Sequence, residues 1–154
     1  MNPIVISLNN SKAYFDRGTD CFAEADSEFA PQPGLYTVAQ HVAHTAQTVD
    51  WFVEGVFGGK GFDMDFAKHD AAIRQVKSLA EARAWWERSM KRAVDTWGAA
   101  SNEDLAKPIE NDNLMGGAPK GAAAQGLVDH TAHHRGALAV YARLVGKTPS
   151  MPYM

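Results

Sequence analysis

The sequence contains very little cysteine and no long apolar segment. Its single cysteine, Cys21, cannot form an internal disulfide, and chains without disulfides are typical of a reducing cytoplasm. No segment approaches the ~20 apolar residues that a membrane-spanning helix needs, and the first residues lack the basic and apolar regions of a signal peptide. We therefore expect a cytoplasmic protein with no membrane partner, in which Cys21 is a small core residue.

Positive charge is also scarce. Lys and Arg number 15 against 18 for Asp and Glu, which gives a formal net charge of -3 at pH 7. The basic residues are scattered, with no run longer than Lys91-Arg92, whereas a nucleic-acid-binding protein usually has a basic face. We therefore expect no nucleic-acid partner. The hydrophobic fraction of 45% is ordinary for a globular protein, and the length suits one domain over residues 1–154.

Helical patterns dominate the chain. Thr37–Gln40 and Ser78–Glu81 each match a capping box, in which the first and last side chains bond to backbone N–H groups at the start of a helix. Four long helices joined by loops predict an all-α fold with a four-helix bundle architecture. A loop over 102–121 is long enough to indicate a functional or a loosely ordered segment. The segments predicted to be helical are 10–25, 37–58, 71–76, 78–101 and 122–145.

Five of the six histidines lie on two of these predicted helices. His41 and His44 are on the second, and the last carries His130, His133 and His134. Successive residues of an α-helix are rotated by about 100°, so His130 and His134 point only about 40° apart, one turn from each other. Two imidazoles with this spacing can bind one metal ion, as in the helical zinc motifs of metalloproteases.

The face that carries His130 and His134 is also the apolar face of the last predicted helix. Two imidazoles in an apolar core are costly to bury unless something binds them. They are either core histidines bonded to their neighbours or ligands of a metal, and the third histidine on another helix favours the metal. His133 and Arg135 are expected at the rim. The apolar residues within about 80° of His130 are Leu127, Ala137, Leu138, Tyr141, Leu144 and Val145.

The third ligand is expected from the second predicted helix, where two histidines compete. His44 shares a helix face with Trp51 and Gly55, and His41 lies about 60° away from it. This geometry favours neither histidine.

Two segments resemble a known family. Residues 36–44 (YTVAQHVAH), followed by Asp50-Trp51-Phe52, are similar to the second helix of the DinB-like superfamily, and residues 129–136 (DHTAHHRG) resemble its last-helix signature. The resemblance implies a four-helix bundle of the DinB-like type. It also implies one metal-binding histidine on the second helix and a His-x-x-x-His pair on the last. Carried over to this sequence, the metal ligands are His44, His130 and His134.

Three protein ligands leave a coordination position open, as in catalytic zinc sites. An all-imidazole set suits one divalent metal ion, with Zn or Ni preferred and Fe, Mn or Cu compatible. The resemblance implies an enzyme that acts on a small-molecule substrate with a low-molecular-weight thiol, as an S-transferase or isomerase. A metal-dependent hydrolase and a non-catalytic metal-binding stress-response protein are the alternatives. We also expect a homodimer, because related bundles commonly pair.

No general base is apparent beside these histidines. The nearest acids along the chain are Asp50, Glu54 and Asp129, and all three are interpreted as solvated surface charges. The catalytic residues therefore stay unassigned. The four tryptophans, which lie at helical spacing, are interpreted as core residues rather than as a ligand cage: Trp51, Trp85, Trp86 and Trp97.

Overall fold

A computed structural model describes residues 2–154, and these residues form six α-helices. Four of the helices are long and pack side by side as a four-helix bundle, which confirms the predicted all-α fold. Residues 2–154 form no strand beyond an isolated bridge between Pro108 and Pro119, and none of their helices is long and apolar enough to cross a bilayer. The helices are α1 (Pro3–Thr19), α2 (Val38–Phe57), α3 (Phe66–Arg74), α4 (Leu79–Ala99), α5 (Asn102–Ala106) and α6 (Lys120–Leu144).

The first helix begins and ends earlier than the predicted range 10–25. It begins early because the side chain of Asn2 accepts a hydrogen bond of 2.9 Å from the N–H of Ile4, and a proline at the first helical position needs no such partner. It ends early because the guanidinium of Arg83, on α4, donates to the carbonyl of Thr19 at 2.6 Å. That long-range bond satisfies a carbonyl at the helix end and has no local signal in the sequence.

The start of α2 follows the predicted capping box. The hydroxyl of Thr37 accepts from the N–H of Gln40 at 3.2 Å, and the side-chain oxygen of Gln40 accepts from the N–H of Thr37 at 3.1 Å. At the start of α4, the hydroxyl of Ser78 accepts from the N–H of Glu81 at 3.2 Å. These bonds fix the residues at which both helices begin. The start of α2 matters for the site because this helix carries two of the histidines.

Two short helices differ from the prediction. The carboxylate of Asp65 accepts from the N–H of Lys68 at 3.0 Å, so α3 begins several residues before the predicted 71–76. The hydroxyl of Ser101 caps α5 inside the segment predicted as a loop. The earlier start of α3 matters most, because it places this helix against α2 beside the histidines.

The bundle core is built from the inward faces of the four long helices. Trp86 and Trp97 are fully buried in it, as predicted, and the indole N–H of Trp86 donates to the carboxylate of Asp16 at 2.7 Å. Trp51 and Trp85 are half-buried and pack against this core at its edge. Other fully buried core residues include Leu8, Phe15, Val42, Val49, Met90, Leu127 and Leu138.

The loop between α5 and α6 is tied to the end of α2. The side-chain amide of Asn113 both accepts from the N–H of Phe62 and donates to its carbonyl, each at 2.9 Å. Asn111 donates to the carbonyl of Gly59 at 2.8 Å. The loop is therefore fixed by side-chain amides, and it brings Leu114 beside the histidines.

Candidate metal centre

The structure brings together the three histidines that the resemblance implied. Helices α2 and α6 pack against each other, and one nitrogen from each of His44, His130 and His134 lies within 4.8 Å of the other two. The Nε2 atoms of His130 and His134 are 3.0 Å apart. The ring of His44 lies 4.6 Å from that of His134 and 5.1 Å from that of His130, between centroids. We call these three residues the histidine cluster.

His130 and His134 lie on the face of α6 that the sequence predicted to be apolar. His134 is 8% exposed and lies between Leu127 and Leu138, which are both buried on the same helix. His130 is half-buried, so the cluster is sealed on the side of His134 and more open on the side of His130. His133 is exposed, as predicted for a rim residue.

One nitrogen in the cluster has no hydrogen-bond partner among the described residues. The Nδ1 atom of His44 is fully buried and makes no hydrogen bond, a state that costs free energy unless something else binds the atom. Two ligand nitrogens that are each ~2.0–2.1 Å from a tetrahedral zinc lie about 3.3 Å apart. The 3.0 Å between His130 and His134 is close to this separation, so the three imidazoles fit a metal ion.

His41 lies behind the cluster rather than in it. Its Nδ1 atom is 3.3 Å from the Nδ1 atom of His134, on the far side of that ring from the Nε2 atom that faces His130. The His41 ring also packs against Tyr141, 5.0 Å between centroids. A hydrogen-bond partner on the outer nitrogen of a ligand imidazole fixes the tautomer and the orientation of that ring.

The imidazoles are held neutral by their surroundings. Burial and the neighbouring imidazoles lower the pKa of His41 and of His130 to about 4, and they lower the pKa of His134 to about 2. Burial also lowers the pKa of His44, against the opposing effect of the Asp70 carboxylate. Neutral imidazole is the form that binds metal, so the cluster is prepared for a cation at neutral pH.

A cavity of about 610 Å³, here called the main cavity, lies beside the cluster and includes His44 and His130 in its wall. Most of the remaining wall is apolar and aromatic, with Trp51 and Phe52 from α2 and Phe66 from α3. The indole N–H of Trp51 donates to the carbonyl of Asp63 at 2.8 Å, which fixes the ring in the wall. The cluster thus faces a space that a small molecule can enter.

Sequence reasoning missed most of the polar residues in the wall of the main cavity. Tyr36, His69 and Asp70 all line it, and the phenol of Tyr36 donates to the carboxylate of Asp70 at 2.6 Å. Asp70 also accepts from Nε of Arg74 at 2.8 Å, one turn along α3. The Tyr36–Asp70 pair is 34 residues apart in sequence, so only the packing of α3 on α2 reveals it.

Of the acids considered from the sequence, Asp50 differs from its interpretation as a solvated charge. Its carboxylate is half-buried and accepts from the indole of Trp85 and the hydroxyl of Ser89, each at 2.8 Å. Asp50 therefore links α2 to α4 and does not line the main cavity. Glu54 and Asp129 are exposed, as predicted.

Comparisons with known proteins agree with this architecture. Two crystal structures with the same fold are a DinB-like protein from Bacillus subtilis, with a TM-score of 0.73 and 17% identity over 99% of both chains, and one from Bacillus cereus, with a TM-score of 0.74 and 17% identity over 95% of this chain and 93% of that one. No curated protein matches the sequence. Residues 9–138 match the DinB superfamily. The chain therefore belongs to the DinB superfamily.

Proposed function

We propose that the histidine cluster binds one divalent metal ion, zinc or nickel, and that the protein is a metal-dependent enzyme acting with a small thiol. The observation that carries the metal site is the buried Nδ1 atom of His44, which has no partner among the described residues. One ligand nitrogen from each of the three imidazoles lies within 4.8 Å of the other two. When bound there, the metal would supply positive charge that lowers the pKa of a coordinated thiol or water.

The position of the cluster supports an enzyme over a non-catalytic binding protein. A structural metal site is normally closed by protein ligands, whereas a catalytic one keeps a position open. Three imidazoles leave such a position, and His44 and His130 border the main cavity of about 610 Å³. A volume of that size is in the range of small-molecule sites.

The main cavity has no free carboxylate to act as a general base, which favours a thiol over water as the nucleophile. Among the described residues that line it, Asp70 is the only carboxylate, and both of its oxygens accept hydrogen bonds, from Tyr36 and from Arg74. His69, the imidazole of the cavity outside the cluster, has Nε2 3.1 Å from the carbonyl of Asp63. A thiol has an ordinary pKa of about 8.5, so it needs little help to ionise at neutral pH. S-transfer or isomerisation with a thiol therefore suits this site better than hydrolysis does.

The side chains around the cluster hold protons at defined atoms. The pKa of Tyr36 is raised to about 12 by burial and by its bond to Asp70, so its hydroxyl stays protonated at neutral pH. His41 keeps the outer nitrogen of His134 occupied, which turns the Nε2 atom of that ring toward the cluster. The chain thus positions its three inward nitrogens and provides no cation of its own beside them.

The test uses protein made without an affinity tag and loaded with cobalt(II), which reports its ligands by absorption. Addition of a neutral thiol such as 2-mercaptoethanol is expected to produce a thiolate-to-cobalt charge-transfer band in the near ultraviolet. The band should be absent from the His44→Ala variant, and the His133→Ala variant is the matched control that should retain it. A stoichiometric cobalt spectrum that no thiol alters would contradict the thiol mechanism.

Assays on the same cobalt-loaded protein distinguish the thiol mechanism from a hydrolase and from a non-catalytic role. Thiol-independent cleavage of p-nitrophenyl acetate that is lost in His44→Ala would support a hydrolase. Cobalt binding with neither a thiol band nor hydrolysis would support the non-catalytic role.

A further inference from the structure

The wall of the main cavity, over the residues that the structure describes, includes no side chain with a permanent positive charge. Among the described residues that line the cavity, none is lysine or arginine, and Asp70 is the only carboxylate. Asp70 is held ionised by its bonds to Tyr36 and Arg74, which lower its pKa. An anionic group enclosed by this wall would lose its hydration without gaining a lysine or arginine as a partner.

Part of the cavity wall is aromatic. Trp51, Phe52 and Phe66 line the cavity, with the ring of Trp51 5.6 Å from Phe52 and 6.1 Å from Phe66, between centroids. Aromatic faces arranged in this way bind flat apolar groups through both buried area and ring geometry. This wall reaches the cluster directly, because His44 and His130 belong to the same cavity.

Two apolar residues of the cavity are left largely in water. Phe66 is 57% exposed and Leu114 is 44% exposed, although both line the cavity. Leu114 is held there by the loop that Asn113 ties to Phe62. Large apolar side chains that a fixed loop and a capped helix place around one opening mark a surface that a ligand covers.

We propose that the main cavity binds an uncharged aromatic portion of the substrate. The proposal rests on the proposed function in one respect, namely that the substrate also reaches the histidine cluster. The binding of the aromatic portion does not itself require a metal. The cavity selects against substrates that carry a carboxylate or phosphate on the portion it encloses, because no lysine or arginine among its described lining residues compensates that charge.

The first arm of the test uses metal-free protein with chelator present, so that no metal contributes to binding. Benzamide and benzoate have nearly the same shape and differ in charge. Each is titrated while the indole N–H resonance of Trp51, assigned with Trp51→Phe, is followed by NMR. Benzamide is expected to shift this resonance and to bind at least about tenfold more tightly than benzoate, because an unpaired carboxylate is costly to bury. Equal affinity of the two compounds would overturn the proposal.

The second arm uses zinc-loaded protein and three hydroxamates that share one chelating group. Benzohydroxamate should bind at least about tenfold more tightly than acetohydroxamate, since its ring buries apolar area in the cavity. A carboxylate at the para position should remove this gain. Phe66→Ala should reduce the gain without changing the affinity for acetohydroxamate, and Met64→Ala, which replaces an exposed residue outside the cavity wall, should leave both unchanged.

The two arms distinguish the two proposals. Benzamide binding by a protein that takes up no zinc would leave the aromatic cavity standing and overturn the metal-dependent function. Zinc uptake with equal affinity for acetohydroxamate and benzohydroxamate would overturn the aromatic cavity and leave the metal site standing.

Discussion

The Nε2 atom of His134 lies 3.0 Å from the Nε2 atom of His130, one helical turn away on α6. The opposite nitrogen of the same ring, Nδ1, lies 3.3 Å from Nδ1 of His41. The two sides of one imidazole therefore have different neighbours: one side faces the cluster and the other is bonded to a residue of α2. His41 therefore contacts the outer nitrogen of His134 and lies outside the histidine cluster.

This relationship predicts that His41→Ala keeps a metal site but weakens it. Loss of such an outer bond typically reduces metal affinity by about 10–100-fold. The expected result is full zinc occupancy at excess metal, with a zinc Kd raised about tenfold or more in a competition titration against a chromophoric chelator. His133→Ala, which changes an exposed imidazole next to the same ligand, should keep the wild-type Kd. Complete loss of zinc from His41→Ala would show that His41 is itself a ligand.

Metal-free protein should lose stability as the pH falls below about 6.5, the ordinary pKa of histidine. In the folded chain the pKa is about 4 for His41 and His130 and about 2 for His134, chiefly because of burial. Below pH 6.5 the unfolded chain binds protons that the folded chain does not, so unfolding is favoured progressively until the folded pKa values are reached. Thermal melts of chelator-treated protein between about pH 7.5 and 4.5 test this. A melting temperature that stays constant across this range would contradict the burial of neutral imidazoles.

Metal should stabilise the folded chain at neutral pH without being required for folding. A metal that binds only the folded state raises stability by mass action, whereas most of the buried core consists of apolar side chains that bind no ion. Chelator is therefore expected to lower the melting temperature and to leave the helical circular dichroism intact. No change on adding chelator would mean that no ion is bound. Outright unfolding would mean that the site is structural.

Two glycines offer a matched test of packing beside the main cavity. A Cβ added at Gly55 on α2 would lie 2.3 Å from the ring of Phe62, which packs against Trp51 in the cavity wall. Gly55→Ala should therefore destabilise the protein by about 1–3 kcal/mol. Gly136 on α6 has open space around it, so Gly136→Ala should stabilise by about 0.5–1 kcal/mol through helix propensity alone. Urea denaturation gives both values, and equal effects would contradict the packing of Phe62 on α2.

The predicted homodimer needs an exposed apolar surface on each chain. Trp86 and Trp97 on α4 are buried inside the chain, so they cannot form a contact between subunits. Val140 and Leu144, one turn apart on α6, are 57% and 58% exposed and offer an apolar surface instead. Light scattering should give the mass of a dimer, and Leu144→Glu should give that of a monomer. A monomer mass for the unmodified chain would refute the prediction.

How far the sequence predicted this molecule depends on how local each feature is. The α6 pair followed from helical periodicity, because one apolar stripe contains both His130 and His134. The choice of His44 over His41 did not, since the two lie on adjoining faces of α2 and only the family resemblance separated them. Leu144 belongs to the same stripe by angle, yet it is the last residue of α6 and lies largely in water.

The main cavity could not be predicted for a related reason. Its polar wall joins Tyr36, just before α2, to Asp70 on α3, and Leu114 reaches it from a distant loop. Each of these contacts depends on where a loop or a short helix packs, and neither periodicity nor capping signals carry that information. The position of Asp50 could not be predicted from the sequence either, since it depends on hydrogen bonds to Trp85 and Ser89 on another helix.

The most direct test of the account is the metal content of the untagged protein, measured by inductively coupled plasma mass spectrometry after reconstitution and dialysis. The unmodified chain and His133→Ala are expected to hold one zinc or nickel ion per chain, and His44→Ala, His130→Ala and His134→Ala are expected to hold almost none. Far less than one transition metal ion per unmodified chain, or retention of the ion by His44→Ala, would contradict the assignment of His44, His130 and His134 as the metal ligands.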